Sequence, residues 1–174
     1  MNQLKTISFK DFTVNPFTVI SKEWMLITAE KDGKVNAMTA SWGGIGHIFG
    51  KNVLYFFIRP QRYTKEFVDA ASGVSISILP ASHRKTLNYF GAVSGRAEDK
   101  IAKSGLTVAY ENKIPYFAES KTVFICRKFF AQPFLKDSFV DKTILTEFYP
   151  ENDLHTMYIA EVEEIFVNES LFKV

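Results

Sequence analysis

The sequence predicts a mainly β fold: a barrel of short strands that carries a few short helices. Extended runs rich in β-branched and aromatic residues recur at roughly even spacing, with turn residues between them. Aromatics make up 15% of the chain, and 17 residues are Phe, many at alternating positions that suit a pleated strand. Helical patterns are confined to three brief stretches. The 174 residues match one domain, 1–174, long enough to bury a core without disulfides.

In chain order, "EWMLITAE" reads as a strand, and Asp32-Gly33 in "KDGK" is a hairpin turn. "VNAMTASW" continues the hairpin, so residues 24–42 pair with themselves. "GGIGHIFG" then reads as a glycine-rich turn. "NVLYFFI" is a buried strand, and Pro60 ends it. "TKEFVDAA" is a helix with Thr64 as N-cap, Glu66 in its first turn and Gly73 beyond its end. "GVSISIL" alternates apolar residues with serine, the pattern of a half-buried strand. "SHRKTLNYFG" is a helix from a Ser82 cap to a Gly91 C-cap, and "EDKIAKSG" a third closing at Gly105. "KTVFICRKFF" and "HTMYIAEVEEIFV" are further strands. The apolar residues of the last change face midway, which predicts a bulge.

Composition excludes several function classes. A net charge of +2 with acids and bases interleaved is too mild for a nucleic-acid surface. The longest apolar run, Val53 to Ile58, is far short of a membrane span. "MNQLKTISFKDF" has no apolar core of a secretory signal. The single cysteine, Cys126, allows no internal disulfide and reads as a buried, inert thiol. His47, His83 and His155 show no metal spacing, so no metal site is expected. These features together predict a soluble, cytoplasmic protein with neither nucleic-acid nor membrane partners.

Three stretches can carry chemistry. In "RPQRYTKEF", a strand gives way to a helix beside Arg59, Arg62, Tyr63 and Thr64. Helix N-termini present free N–H groups, and Arg and hydroxyl side chains add donors, so the corner suits a phosphate. A plain capped helix with its bases in water fits the same residues. In "NAMTASW", small and hydroxyl side chains leave room for a planar ring against the backbone; an ordinary hairpin edge fits as well. In "NYFGAVSGRAEDK", Gly91, Ser94 and Gly95 form either an anion nest beside Arg96 or a simple corner with Arg96 in an ion pair. No nucleophile–base pair emerges, so any hard chemistry would come from an organic cofactor.

Taken together, "NAMTASWGGIGHIFGK", "RPQRYTKEFV", "SGRAEDKIAKSGLT", "FICRKFF" and "YPENDLHTMYIAEV" resemble the flavin reductase-like family, most of all its flavoredoxin branch. The resemblance implies an FMN-binding split β-barrel of Greek-key type decorated with short α-helices. It implies noncovalent FMN held by Asn36, Met38, Thr39, Ala40, Ser41 and Trp42 along the ring. Arg59, Tyr63 and Thr64 would hold the phosphate end, and Gly91, Ser94 and Arg96 would complete the site. It further implies an oxidoreductase passing electrons from NAD(P)H or a protein donor, and a homodimer with FMN near the interface. His155, the candidate catalytic residue, falls where reductases carry a Gly-Asp-His run beside the nicotinamide. Here Leu154 splits Asp153 from His155, and a usual glycine is Ala160. That departure keeps open a flavodoxin-like electron carrier, served by a redox partner protein, without substrate turnover of its own.

Overall fold

The computed structural model describes residues 4–171. Its strands are β1 (Leu4–Thr6), β2 (Met25–Lys31), β3 (Lys34–Ala40), β4 (Gly43–Ile48), β5 (Lys51–Ile58), β6 (Gly73–Ile78), β7 (Val108–Glu111), β8 (Ile114–Phe117), β9 (Thr122–Pro133) and β10 (Thr156–Asn168). The helices are α1 (Pro16–Thr18), α2 (Thr64–Ala70), α3 (Arg84–Ala92), α4 (Lys100–Ser104) and α5 (Thr143–Phe148), with a π-helical turn at Val19–Glu23. None of them is long and apolar enough to cross a membrane.

The main sheet is antiparallel, in the order β3-β2-β6-β9-β10-β5-β4, with β1 beside β10. Two tight turns set the registers at its ends. Asp32 and Gly33 both take positive φ and join Lys31 to Lys34, and Phe49 and Gly50 do the same between Ile48 and Lys51. One apolar cluster draws on β2, β3, β5, β6, β9 and β10 together, including Ile27, Met38, Phe56, Ile76, Phe124 and Tyr158. A single sheet whose strands all face one cluster is a barrel. Two smaller clusters lie outside it. One, around Leu26, Leu87, Phe90 and Phe117, seats α3; the other seats the β7–β8 hairpin on β9.

Most expected elements are present, and β10 shifts register against β9 at Ile159/Ala160 and at Val162/Glu164, the expected bulge. Several local expectations need correction. "GGIGHI" is strand β4 rather than a turn, because Gly43 and Gly44 lie close against Tyr55 of β5. β6 is buried on both faces: Ser75 and Ser77 are covered, and the Ser75 hydroxyl donates to the Pro115 carbonyl at 2.5 Å. Thr64 opens α2 without capping it, since its hydroxyl is engaged by Asn36. Ser82 sits in a 3-10 turn before α3, Gly91 lies inside that helix, and Gly73 begins β6. α4 follows expectation: the Asp99 side chain accepts from the N–H groups of Ile101 and Ala102, and Gly105 closes it at φ 73°. Pattern reading passed over the β7–β8 hairpin, the π-helical turn and α5, which are short or weakly periodic.

Candidate functional site

β3 is an end strand, so its outer edge has no partner strand among the described residues. The Ala37 carbonyl instead accepts from Lys100 Nζ at 2.8 Å. In an antiparallel pair a residue's N–H and C=O point the same way and alternate along the strand. Ala37 and Thr39 therefore turn their backbone groups outward. Two adjoining cavities run along this edge, of about 240 and 270 Å³, and share Met38, Arg59 and Arg62 in their walls. They form one cleft of ligand size.

At its cationic end, Arg62, Tyr63, Thr64, Ser94, Gly95 and Lys100 line the wall. Asn36 Nδ2 donates to the Thr64 hydroxyl oxygen at 2.9 Å, which leaves the Thr64 proton free for a ligand. Gly95 is required here: a Cβ would lie 2.4 Å from Asn36 Oδ1 and break up that arrangement. Arg62 donates to the Gly91 carbonyl at 2.6 Å, and Lys100 to the carbonyls of Ala37 and Phe90. Neither cation has a carboxylate partner among the described residues. Burial, and then Arg62, push the Lys100 ammonium down to about 8. Burial, and then Arg59, also lower Arg62. Two desolvated positive charges side by side are costly unless an anion joins them.

At the aromatic end, Thr39, Ala40, Ser41, Trp42, Phe57, Arg59 and His155 form the walls. The Thr39 hydroxyl donates to the Leu87 carbonyl at 2.6 Å, so it pins β3 to α3. Trp42 packs on His155 at 5.1 Å and edge-on to Phe148 at 5.5 Å. His155 is buried, and its Nδ1 lies 2.8 Å from the Tyr149 hydroxyl. Burial first, then Arg59, hold its pKa down to about 4, with Asp153 pulling the other way, so the ring is neutral at physiological pH.

The structure gathers Asn36, Met38, Thr39, Ala40, Ser41, Trp42, Arg59, Tyr63, Thr64, Ser94 and His155 about this cleft. It differs from expectation in how some of them are used. Arg59 is already engaged by Asp153, by the Phe148 carbonyl at 3.0 Å and by the face of Tyr149. Gly91 offers a carbonyl, not an open N–H nest, and the turn from Ser94 satisfies its own N–H groups at Arg96 and Ala97. Arg96 lies outside the cleft lining, paired with Glu66 and stacked on Tyr63 at 4.6 Å, which is the ion-pair alternative. Sequence reasoning missed Lys100, Tyr149 and the Arg59–Asp153 pair. Lys100 left one signal: a lysine at the first position of a helix opposes the helix dipole and calls for another reason. Among the described residues no cluster of His, Cys, Asp and Glu is placed to hold a metal.

Comparison with known proteins agrees with this architecture. The family model described as "Flavin reductase like domain" matches residues 18–173. No curated protein matches the chain. Among solved structures, a flavoredoxin from Methanosarcina acetivorans superposes with a TM-score of 0.69 at 21% identity, covering 87% of this chain and 71% of that one. An FMN-binding domain of a flavin reductases-like enzyme from Shewanella baltica OS155 gives 0.72 at 15% identity, over 99% and 81%. Flavoredoxin of Desulfovibrio vulgaris (Miyazaki F) gives 0.67 at 22%, over 86% and 72%. The barrel is thus the split barrel of flavin reductase-like proteins.

Proposed function

The chain belongs to the flavin reductase-like family, and from that premise we propose that it is an FMN-binding oxidoreductase of the flavoredoxin type, passing electrons from NAD(P)H or a protein donor. One observation carries the reading: Arg62 and Lys100 share one end of the cleft with no carboxylate paired to either among the described residues. A dianionic phosphate is the ligand that relieves this imbalance, and the free Thr64 proton adds a donor. The ring would lie along Met38–Ser41, where small side chains and the outward backbone groups of Thr39 allow close contact. Bound FMN supplies one- and two-electron transfer. The protein's part is to grip the phosphate, hold the ring against β3 and, through Trp42, Phe57 and His155, keep water from its exposed face.

Arg59 fits this reading as a brace. It ties the segment before β10 to the strand-to-helix corner, and so sets the wall that faces the ring. Exposed Trp42 and Phe148 at the cleft mouth support a homodimer with the cofactor near the interface, which light scattering would test. The test of the main reading is the visible spectrum of freshly purified protein and its titration with FMN. A flavin spectrum and tight binding are the expected results. A colourless protein that fails to bind added FMN would overturn it.

One feature favours the carrier as a second reading. Trp42 and His155 pack together over the end of the cleft, where a nicotinamide would stack. A pure carrier would react slowly with NADH and NADPH, yet exchange electrons with a low-potential protein faster than free FMN does.

A further inference from the structure

The aromatic end of the cleft contains a polar pair whose hydrogen bond flavin binding does not account for. Tyr149 is 4% exposed and His155 8%. The 2.8 Å contact to His155 Nδ1 is the one hydrogen bond of the Tyr149 hydroxyl among the described residues. Two proton arrangements fit that distance. If Nδ1–H donated to the phenol oxygen, the phenol's own proton would be buried without an acceptor, a loss of about 1–3 kcal/mol. If the hydroxyl donates to Nδ1, the phenol proton and Nδ1 satisfy each other, and the imidazole proton sits on Nε2, the nitrogen that Tyr149 leaves free. His155 lines the cavity beside Trp42, Phe57 and Arg62.

We propose that Tyr149 is a positioning residue. It fixes His155 as a neutral Nε2–H donor, so that this end of the cleft recognises a carbonyl or carboxamide oxygen and supplies no proton to it. The ligand class rests on the flavin reading of the cleft; the tautomer does not. The surroundings agree. Arg59 and Arg62 from the strand-to-helix corner oppose a charge on the ring, Trp42 covers it, and Asp153 alone favours one. Asp153 is itself held by Arg59 and by Gln61, the latter at 2.8 Å. The Phe134 N–H donates to the His155 carbonyl at 2.8 Å, which fixes the backbone behind the ring.

Nuclear magnetic resonance of the full chain with isotope-labelled histidine, without added FMN, reads the tautomer directly. The expected result is a neutral Nε2–H ring down to about pH 5. A ring protonated at about pH 6, or carrying its proton on Nδ1, would overturn the proposal. Tyr149→Phe should give a mixture of tautomers; a folded Tyr149→Phe with the same single tautomer would remove Tyr149 from the role. A second pair of variants keeps the question open to test if Tyr149→Phe fails to fold. His155→Ala should raise KM for NADH, or for a carbonyl-bearing acceptor, by roughly 3- to 10-fold, the worth of a neutral hydrogen bond. His155→Gln, whose amide N–H can replace Nε2–H, should recover most of that loss, and equal values for the two variants would reject the donor. Should FMN fail to bind while the tautomer is as stated, the flavin reading falls and the Tyr149 assignment stands.

Discussion

Replacing Lys100 by Met separates two effects of opposite sign. In the free protein the ammonium is 3% exposed, and it neighbours Arg62 rather than a carboxylate. The interval between about 8 and the ordinary 10.5, at about 1.36 kcal/mol per pH unit, is roughly 3 kcal/mol held against the fold at neutral pH. Between these two values the unfolded chain keeps a proton that the folded chain has lost. Stability of the free wild type should therefore rise by roughly 3 kcal/mol across that window, and Lys100→Met should lack the rise. Binding goes the other way. A cation donating to a phosphate is worth about 1.5–3 kcal/mol, so the variant should bind FMN roughly 10- to 150-fold more weakly at neutral pH. The wild-type advantage should shrink as pH climbs through about 8. Urea unfolding across the pH range and quenching of FMN fluorescence measure the two quantities. An FMN affinity equal to wild type, with the same pH dependence, would refute the placement of the phosphate beside Lys100.

Further tests follow from the same geometry. His155 keeps its neutral form down to about 4, so as pH falls from about 6.5 the unfolded chain takes up its proton first. Wild type should lose roughly 3 kcal/mol over that window that His155→Gln retains; parallel urea midpoints in the two proteins would count against a buried, neutral ring. A Cβ on Gly43 would lie 2.4 Å from the Tyr55 carbonyl oxygen. Gly43→Ala should therefore strain the β4–β5 ladder and lower stability by about 1–3 kcal/mol in chemical denaturation, and an unchanged midpoint would show that β4 can shift freely. Cys126 is fully buried, and burial above all pushes its thiol pKa up. It should resist a thiol reagent in the folded protein and react in urea; equal rates in both would contradict its place in the barrel core.

The barrel was legible because its signals are local. Asp32-Gly33 specifies a two-residue turn, and the apolar runs of β2, β5 and β9 have the length and composition of strands. Gly43 and Gly44 misled because glycine marks both turns and close backbone approach, and only the position of Tyr55 decides between them. Ser75 and Ser77 read as a solvent face because the β7–β8 hairpin that covers them is distant in sequence. The cleft was legible in part. Its β3 wall and its strand-to-helix corner are contiguous motifs. The engagement of Arg59 with Asp153, 94 residues away, is not. Nor is the burial of Lys100 against Ala37, 63 residues away. Such pairings arise from the curl of the sheet, and a pattern read along the chain has no access to them.

Away from the cleft, many of the molecule's cations are neutralised by ordinary means. Lys51 and Arg127 meet Glu161, Arg127 also meets Glu163, Lys121 meets Glu23 and Arg96 meets Glu66. Beside β3, three such provisions are set aside together. Among the described residues, a strand edge has no partner strand, two desolvated cations share space without a carboxylate, and a lysine opens a helix against its dipole. Each departure alone lowers stability and would ordinarily be eliminated. Their meeting in one cleft of ligand size is what the proposed ligand would resolve: a flat group that accepts and donates hydrogen bonds along the edge, joined to an anion at the cationic end. A neutral planar ligand would satisfy the edge and leave Arg62 and Lys100 in repulsion. A bare phosphate would satisfy the cations and leave the edge of β3 to water. Riboflavin, FMN and inorganic phosphate, titrated in parallel, therefore divide the site into its two halves. FMN should bind more tightly than either of the others, and riboflavin matching FMN would show that the cations serve some other anion.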